Sequence, residues 1–351
     1  MLLKNYCEWT HFFSPTNSNL GGLMKKIGSA FRLLLCGFVL LALTSVAQAG
    51  GHKKLTIALI PGLTTDAFYI TMRKGAELAA EGLGVELMFQ GAPDFNPTLQ
   101  VPVLNSVIAK KPDAILIAPT DKQQLISPLK AAHDAGIVVV TVDTFIDDGN
   151  YQDGSGMGDF PMSYVASDNV LGGKMAARAL AKAIGEKGKV YVSNVRPGIS
   201  TTDQREEGFK MEIQNYPNIT LLNTQYNDND ANKAAAQLQA VAARNQDIAG
   251  VFGANLFSAV GAADGVKALG KSGQIKVAAF DAPSRIVNDI NSGLIDLAIA
   301  QHPAEIGYYG VMTAYAVLKK QSVPVSIGTG FTVMDKSNIS DPEISKYVYS
   351  D

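Results

Sequence analysis

Polar and aromatic side chains follow several predicted strands directly, where the chain turns into the next helix. They are Asp66, Phe68 and Tyr69 after the first strand, Asp143 and Thr144 after the fourth, and Asn255, Asp281 and Gln301 after three later strands. Carboxylates and amides make the hydrogen bonds that a polyhydroxylated ligand needs, and an aromatic face stacks on the C–H face of a sugar ring. The set therefore predicts a site for a small sugar or polyol.

Each of these residues also has a structural interpretation. Asp143, Asn255 and Asp281 are of the types that cap the N-terminus of a following helix. Phe68 and Tyr69 stand at the start of a predicted helix, where aromatic residues are usually part of the core. The ligand-binding interpretation is favoured because five strand ends carry side chains of the same chemistry.

A regular alternation of strands and helices positions these residues. Strands are predicted at 55–60, 85–90, 114–118, 137–142, 189–193, 219–226, 250–254, 275–280, 294–300 and 330–334, and helices at 67–83, 97–110, 123–135, 169–184, 203–214, 231–245, 256–269, 284–291 and 304–319. The helix within 97–110 either kinks at Pro102 or begins there.

The strands at 114–118 and 137–142 are apolar almost throughout, which is typical of a parallel sheet covered on both faces. In open parallel sheets, ligands bind beyond the carboxyl ends of the strands. Two successive runs of strand–helix units therefore predict an α/β fold with two Rossmann-like lobes, parallel sheets and a cleft between the lobes.

The first 49 residues are predicted to be an upstream segment and a secretory signal peptide. Lys25 and Lys26 precede an apolar run at 33–46, and Ala47-Gln48-Ala49 is typical of a cleavage site, so Met24 is the predicted initiator. Cleavage there predicts a periplasmic protein. Both cysteines, Cys7 and Cys36, precede the cut, and the mature chain then has no disulfide.

Charge and motifs exclude several classes of function. A formal net charge of −2 argues against nucleic acid or an anionic membrane as a partner. The chain has no nucleophile elbow, zinc-protease or Walker motif, and its four histidines are scattered. We therefore predict a binding protein with no cofactor, no metal and no enzymatic activity.

The stretch from Ala166 to Lys174 resembles the first crossover between lobes in ribose-type periplasmic binding proteins, the solute receptors of ABC sugar importers. Further matches cover nearly all of residues 54–335 in the same order, at Pro119-Thr120-Asp121, Val140-Thr141-Val142-Asp143, Arg205-Glu206-Glu207-Gly208-Phe209, Val277-Ala278-Ala279-Phe280-Asp281 and the run from Ile299 to Gly307.

The resemblance implies a three-segment hinge, with Ser167, Asp168 and His302 at two of the crossovers and Gly330-Phe331 at the third. It places residues 54–166 plus 302–330 in an N-terminal lobe and residues 167–301 plus 331–351 in a C-terminal lobe. It also implies a small carbohydrate ligand, a membrane permease as partner and, as a second candidate, a chemoreceptor. We expect a monomer.

The resemblance adds Asn229 and Asp203 to the expected ligand-binding residues. Thr144 and Asp203 stand where the family's ribose binders have arginines, and Asn229 stands where they have an aromatic lid. We therefore expect a cleft with four acids, Asp66, Asp143, Asp203 and Asp281, and without both guanidinium groups. Such a cleft favours a neutral sugar, a polyol or a cationic amino sugar over ribose, a sugar acid or a sugar phosphate.

Two further functions are compatible with the same lobes. A lac-repressor-like regulator needs a helix-turn-helix before residue 54, where the signal peptide is predicted. A periplasmic sensor that signals to a chemoreceptor or a histidine kinase is not distinguished from a transport protein by the sequence.

Overall fold

The computed structural model of the chain describes residues 54–151 and 160–350. The strands are β1 (Thr56–Ile60), β2 (Glu86–Phe89), β3 (Ala114–Ile117), β4 (Val138–Val142), β5 (Tyr164–Ser167), β6 (Gly188–Asn194), β7 (Ile219–Leu221), β8 (Gln225–Tyr226), β9 (Ile248–Gly253), β10 (Lys276–Phe280), β11 (Leu297–Gln301), β12 (Ser326–Thr329) and β13 (Phe331–Asp335). The helices are α1 (Ala67–Leu83), α2 (Pro97–Ala109), α3 (Ile126–Asp134), α4 (Asn169–Ala183), α5 (Ser200–Ile213), α6 (Ala231–Arg244), α7 (Leu256–Ala268), α8 (Ser284–Ser292), α9 (Pro303–Leu318) and α10 (Pro342–Ser345).

The strands form two sheets, and each sheet is the centre of one lobe. The N-terminal sheet has the order β12-β5-β4-β3-β1-β2, and all its pairings are parallel. The C-terminal sheet has the order β13-β11-β10-β9-β6-β7, with β8 beside β6, and β13 runs antiparallel to β11. The predicted α/β fold with two parallel-dominated lobes is confirmed.

Helices cover both faces of each sheet, which explains why the strands are apolar on both sides. In the N-terminal lobe, α9 packs on β3 and β4 from one face and α3 packs on β4 from the other. All four residues of β3 are buried. Because buried parallel strands end together at one edge, the polar residues that follow them face the same space.

The chain passes between the two sheets at three neighbouring places. These are the segment from β5 into α4, the segment from β11 into α9, and Gly330 between β12 and β13. Ser167 Oγ lies 3.2 Å from Thr329 Oγ1 across the first and third crossings. His302 Nε2 lies 3.0 Å from Thr332 Oγ1 across the second and third.

Some element bounds differ from the sequence predictions. Helix α5 begins at Ser200 rather than Asp203, and the strand predicted over 219–226 divides into β7 and β8. Helix α2 begins at Pro97, capped by the Asn96 side chain, and contains Pro102, so the predicted alternative start at Pro102 is wrong. Strand β12 and helix α10 were not predicted.

The predicted signal peptide and initiator lie outside the described residues. Within residues 54–151 and 160–350, no helix has the length and hydropathy needed to cross a membrane.

Candidate functional site

A buried cavity lies between the carboxyl ends of the strands of the two lobes. Eight of the ten predicted ligand-binding residues line it, namely Asp66, Phe68, Tyr69, Asp143, Asn229, Asn255, Asp281 and Gln301. The prediction missed seven further lining residues, which are Leu63, Phe95, Val195, Ile199, Thr201, Thr202 and Arg205. The cavity thus combines carboxylates, amides and aromatic rings with one guanidinium group.

Asp143 and Asp281 end central strands of the two lobes and have equivalent surroundings. Both have a left-handed backbone, with φ of 62° and 75°, which is unfavourable for a residue with a Cβ atom. The Tyr69 hydroxyl donates to Asp143 Oδ2 over 2.8 Å, and the Tyr349 hydroxyl donates to Asp281 Oδ1 over 3.1 Å. Neither aspartate caps the next helix, because Asp168 and Pro283 occupy those N-cap positions.

Asp66 and Asn255 cap helices and line the cavity at the same time. Asp66 Oδ1 accepts a hydrogen bond from the Phe68 amide at the start of α1, over 2.9 Å. Asn255 Oδ1 accepts from the Ser258 amide at the start of α7, and Asn255 Nδ2 donates to Asn229 Oδ1 over 2.7 Å. The capping and ligand-binding interpretations are therefore compatible at these two positions.

Burial changes the acid strength of two cavity carboxyls. Removal from water, together with the negative charge of Asp281, raises the pKa of Asp66 to about 7, although the Phe68 amide opposes the shift. Burial raises the pKa of Asp143 to about 6, and the positive charge of Arg205 and the Tyr69 hydroxyl oppose this shift. Asp66 is therefore partly protonated near neutral pH, whereas Asp143 takes up its proton at a lower pH.

Arg205 brings a guanidinium group to the cavity from helix α5. Its Nε donates to Asn169 Oδ1 over 2.8 Å and its Nη1 donates to the Ala254 carbonyl over 3.0 Å. The guanidinium carbon lies 3.9 Å from the centre of the Phe280 ring. Among the described residues, Nη2 has no hydrogen-bond partner, so this donor is available to a ligand.

Two predicted ligand-binding residues do not line the cavity. Thr144 is buried, and its hydroxyl donates to the Pro119 carbonyl over 2.7 Å. Asp203 accepts from the Gly198 amide over 3.0 Å and pairs with Lys122 of the other lobe at 3.5 Å. The structure therefore brings three of the four expected acids to the cavity, together with Arg205 from a position that was not expected to bind the ligand.

Two buried polar atoms of the lining lack partners. Gln301 Nε2 donates to Asp281 Oδ1 over 2.9 Å, whereas Gln301 Oε1 accepts no hydrogen bond. Thr202 Oγ1 is also buried without a partner. Only four such side-chain atoms occur in the described residues, and burial of an unpaired polar atom costs about 1–3 kcal/mol. The cavity is thus prepared for a polar ligand.

The three predicted hinge residues lie at the chain crossings. Asp168 Oδ1 accepts from the Leu171 amide and so caps α4. The His302 ring stacks on Tyr347 with 3.8 Å between the centroids, and burial lowers the pKa of His302. Their role in lobe motion stays a prediction.

Direct contacts between the lobes close the cavity at its rim. The Arg196 guanidinium of the C-terminal lobe donates to the Phe95 carbonyl over 3.4 Å and to the Thr120 carbonyl over 3.3 Å. The Phe145 amide donates to Ser200 Oγ over 3.0 Å. These contacts are made in a closed arrangement of the lobes.

Two α/β lobes that enclose a polar cavity beside three chain crossings define a two-lobe solute-binding protein. Residues 57–322 match the family of the periplasmic binding protein domain, and the chain belongs to this family. It is 31% identical to the ribose import binding protein of Escherichia coli strain K12, over 80% of this chain and 91% of that protein.

Solved structures show the same fold. A crystal structure of an ABC transporter solute-binding protein from Agrobacterium vitis, bound with α-D-tagatopyranose, is 69% identical with a TM-score of 0.84, and the match covers 85% of this chain and all of that chain. A carbohydrate transporter solute-binding protein from Agrobacterium radiobacter, in complex with D-arabinose, is 29% identical with a TM-score of 0.78. This match also covers 85% of this chain and all of that chain.

Proposed function

We propose that this protein binds a small neutral sugar in the cavity and delivers it to the membrane permease of an ABC importer. The observation that carries the proposal is the buried Gln301 Oε1, an unpaired acceptor in the cavity lining. A sugar hydroxyl that donates to this atom satisfies it, and Arg205 Nη2 can donate to a hydroxyl oxygen of the same ligand. Phe68 and Phe95 supply apolar surfaces for the C–H groups of the ring.

The charges of the cavity favour a neutral ligand. Three carboxyls outnumber the one guanidinium group, so an anionic sugar acid or phosphate is disfavoured. The relative that is 69% identical was solved with α-D-tagatopyranose, which supports a ketohexose in its pyranose form as the first ligand to test. D-Ribose is expected to bind more weakly than D-tagatose.

Location and partners complete the proposal. We infer export through the signal peptide at residues 24–49, followed by action in the periplasm as a monomer that binds without catalysis. Relatives named as import binding proteins support the permease as partner. A chemoreceptor stays a second candidate partner.

A thermal-shift screen tests the proposed function. The mature protein is heated with D-tagatose, D-allose, D-arabinose, D-ribose and a sugar phosphate. At a ligand concentration about 100-fold above Kd, stabilisation of about 2.7 kcal/mol should raise the Tm by roughly 5–10 °C. The proposal fails if no neutral sugar raises the Tm, or if the sugar phosphate raises it most.

Asp143→Ala and Asp281→Ala provide the site control for this screen. Both variants should lose the sugar-induced shift and stay folded, because each removes a carboxylate of the cavity lining. Asp134→Ala is the matched control, since that exposed carboxylate pairs only with Lys130 on the surface of α3. It should keep the full shift.

A further inference from the structure

The segment after β13 returns to the cavity and contacts both lobes. The Tyr349 amide donates to the Ala282 carbonyl of the C-terminal lobe over 2.9 Å. The next amide, of Ser350, donates to Thr71 Oγ1 on α1 of the N-terminal lobe over 2.7 Å. These two bonds fix the backbone on either side of the Tyr349 side chain, which is buried.

The Tyr349 hydroxyl bonds to two residues of the cavity lining at once. It accepts from the backbone amide of Gln301 over 2.9 Å and donates to Asp281 Oδ1 over 3.1 Å. Its ring meets the Phe68 ring edge-on, with 5.9 Å between the centroids. Tyr349 itself does not line the cavity, so any effect on a ligand acts through these neighbours.

The hydroxyl and the Gln301 side chain bond to the same oxygen of Asp281. Asp281 Oδ1 accepts from both Tyr349 and Gln301 Nε2, which leaves Oδ2 as the acceptor for a ligand hydroxyl. Because Gln301 Nε2 is held by Asp281, Gln301 Oε1 is the amide atom without a partner. The arrangement repeats the Tyr69–Asp143 pair of the other lobe.

We propose that Tyr349 is a positioning residue of the sugar site, whose hydroxyl fixes the orientation of the Asp281 carboxylate and, through Asp281, that of the Gln301 side chain. The proposal rests on the proposed sugar-binding function. It assigns to the segment after β13 a part in ligand affinity, in addition to the strand-end residues.

Tyr349→Phe tests the proposal, because it removes the hydroxyl and keeps the ring against Phe68. Affinity is measured by calorimetric titration with the sugar of the screen that wild-type protein binds most tightly. Loss of a hydrogen bond that orients a charged acceptor should weaken binding about tenfold. Tyr347→Phe is the matched control in the same segment, since Tyr347 contacts the His302 ring by stacking, and it should bind like wild type.

A double-mutant cycle separates positioning from a general structural role. Tyr349→Phe should weaken binding less than about threefold when Asp281→Asn is present, and by its full tenfold when Asp143→Asn is present, because only residues that interact are coupled. Equal losses in both backgrounds overturn the proposal, and so does unchanged affinity of Tyr349→Phe alone. If wild-type protein binds no sugar, the proposed function fails instead.

Discussion

At the scale of single residues, three aspartates of the cavity have either an unfavourable backbone conformation or a pKa that burial raises. Asp143 and Asp281 have left-handed backbones, and burial raises the pKa of Asp66 and Asp143. Both features lower the free energy of unfolding, and both occur at residues that are expected to contact the ligand. Substitutions at these positions should therefore affect the free energy of unfolding and the sugar affinity differently.

Asp66→Asn should increase stability above pH 7. The pKa of Asp66 rises from the ordinary 3.8 to about 7 on folding, so between these values only the folded chain holds the proton. The free energy of unfolding then falls as the pH rises through this window, by up to about 1.4 kcal/mol per pH unit for one group. Asparagine is neutral and still caps α1.

Urea unfolding without sugar, from pH 4 to pH 8, measures this effect. The variant should show a shallower fall in stability than wild type across the window, with the remaining slope due in part to Asp143. A variant with the pH dependence of wild type contradicts the raised pKa.

Asp203→Ala should weaken sugar binding much less than Arg205→Lys. Asp203 forms a partly exposed ion pair outside the cavity, and such pairs contribute about 0–1 kcal/mol, so its loss should weaken sugar binding little. Arg205→Lys removes the planar fork that lines the cavity. It should weaken binding at least tenfold, because a hydrogen bond to a charged group contributes about 1.5–3 kcal/mol.

Calorimetric titration of both variants distinguishes the two positions. A strong loss in Asp203→Ala with little loss in Arg205→Lys would support the sequence-based assignment instead. The two residues are two positions apart, about 200° around the helix, and so lie on opposite sides of α5. Comparison with the family pattern does not show which side of the helix a residue occupies. The spacing of Arg205 from Thr201 and Thr202, at four and three positions, places all three on one face.

At the scale of elements, close helix packing holds Arg205 in place. A Cβ atom at Gly173 in α4 would lie 2.1 Å from the Arg205 carbonyl oxygen, and one at Gly208 in α5 would lie 2.0 Å from the Val170 carbonyl oxygen. The two helices therefore cross with their backbones in contact. The apolar runs of the sequence predict where the strands end. They do not predict the contact between α4 and α5, because the sequence does not identify which helix packs against α4.

Gly173→Ala should weaken both the fold and the site. The added methyl group pushes α5 away at the residue that carries the guanidinium group, and overpacking of this kind costs about 1–3 kcal/mol. Urea unfolding measures the stability, and titration with the bound sugar measures the affinity, which should also fall.

Gly82→Ala is the matched control within a helix. A Cβ atom at Gly82 in α1 meets no atom within 4 Å, so alanine should stabilise the protein by about 0.5–1 kcal/mol through helix propensity. Affinity should not change. Equal stability effects of the two substitutions would contradict close packing at Gly173.

At the scale of the whole molecule, we expect the contacts between the lobes to determine which fraction of the protein is closed. Arg196 joins the C-terminal lobe to carbonyls of Phe95 and Thr120, and Phe95 also lines the cavity. The sequence predicts a cleft but not these contacts, because they join residues 76 and 101 positions apart that meet only when both lobes are folded.

Arg196→Ala should weaken sugar binding by about three- to tenfold without unfolding either lobe. Loss of the contacts reduces the closed fraction, and the apparent Kd rises in proportion. Titration measures the affinity, and small-angle X-ray scattering measures the radius of gyration, which should increase without sugar. Arg178→Ala removes an exposed pair with Glu212 inside one lobe and should change neither quantity.

We expect the three neighbouring crossings to restrict the motions of one lobe relative to the other. Three short tethers joined side by side, through Ser167 with Thr329 and His302 with Thr332, resist sliding and twisting of one lobe on the other. Opening about a single axis is the motion that strains them least. We therefore predict that the lobes open with essentially one degree of freedom, so that one interlobe distance, followed with a pair of spectroscopic labels, should report the path between open and closed forms.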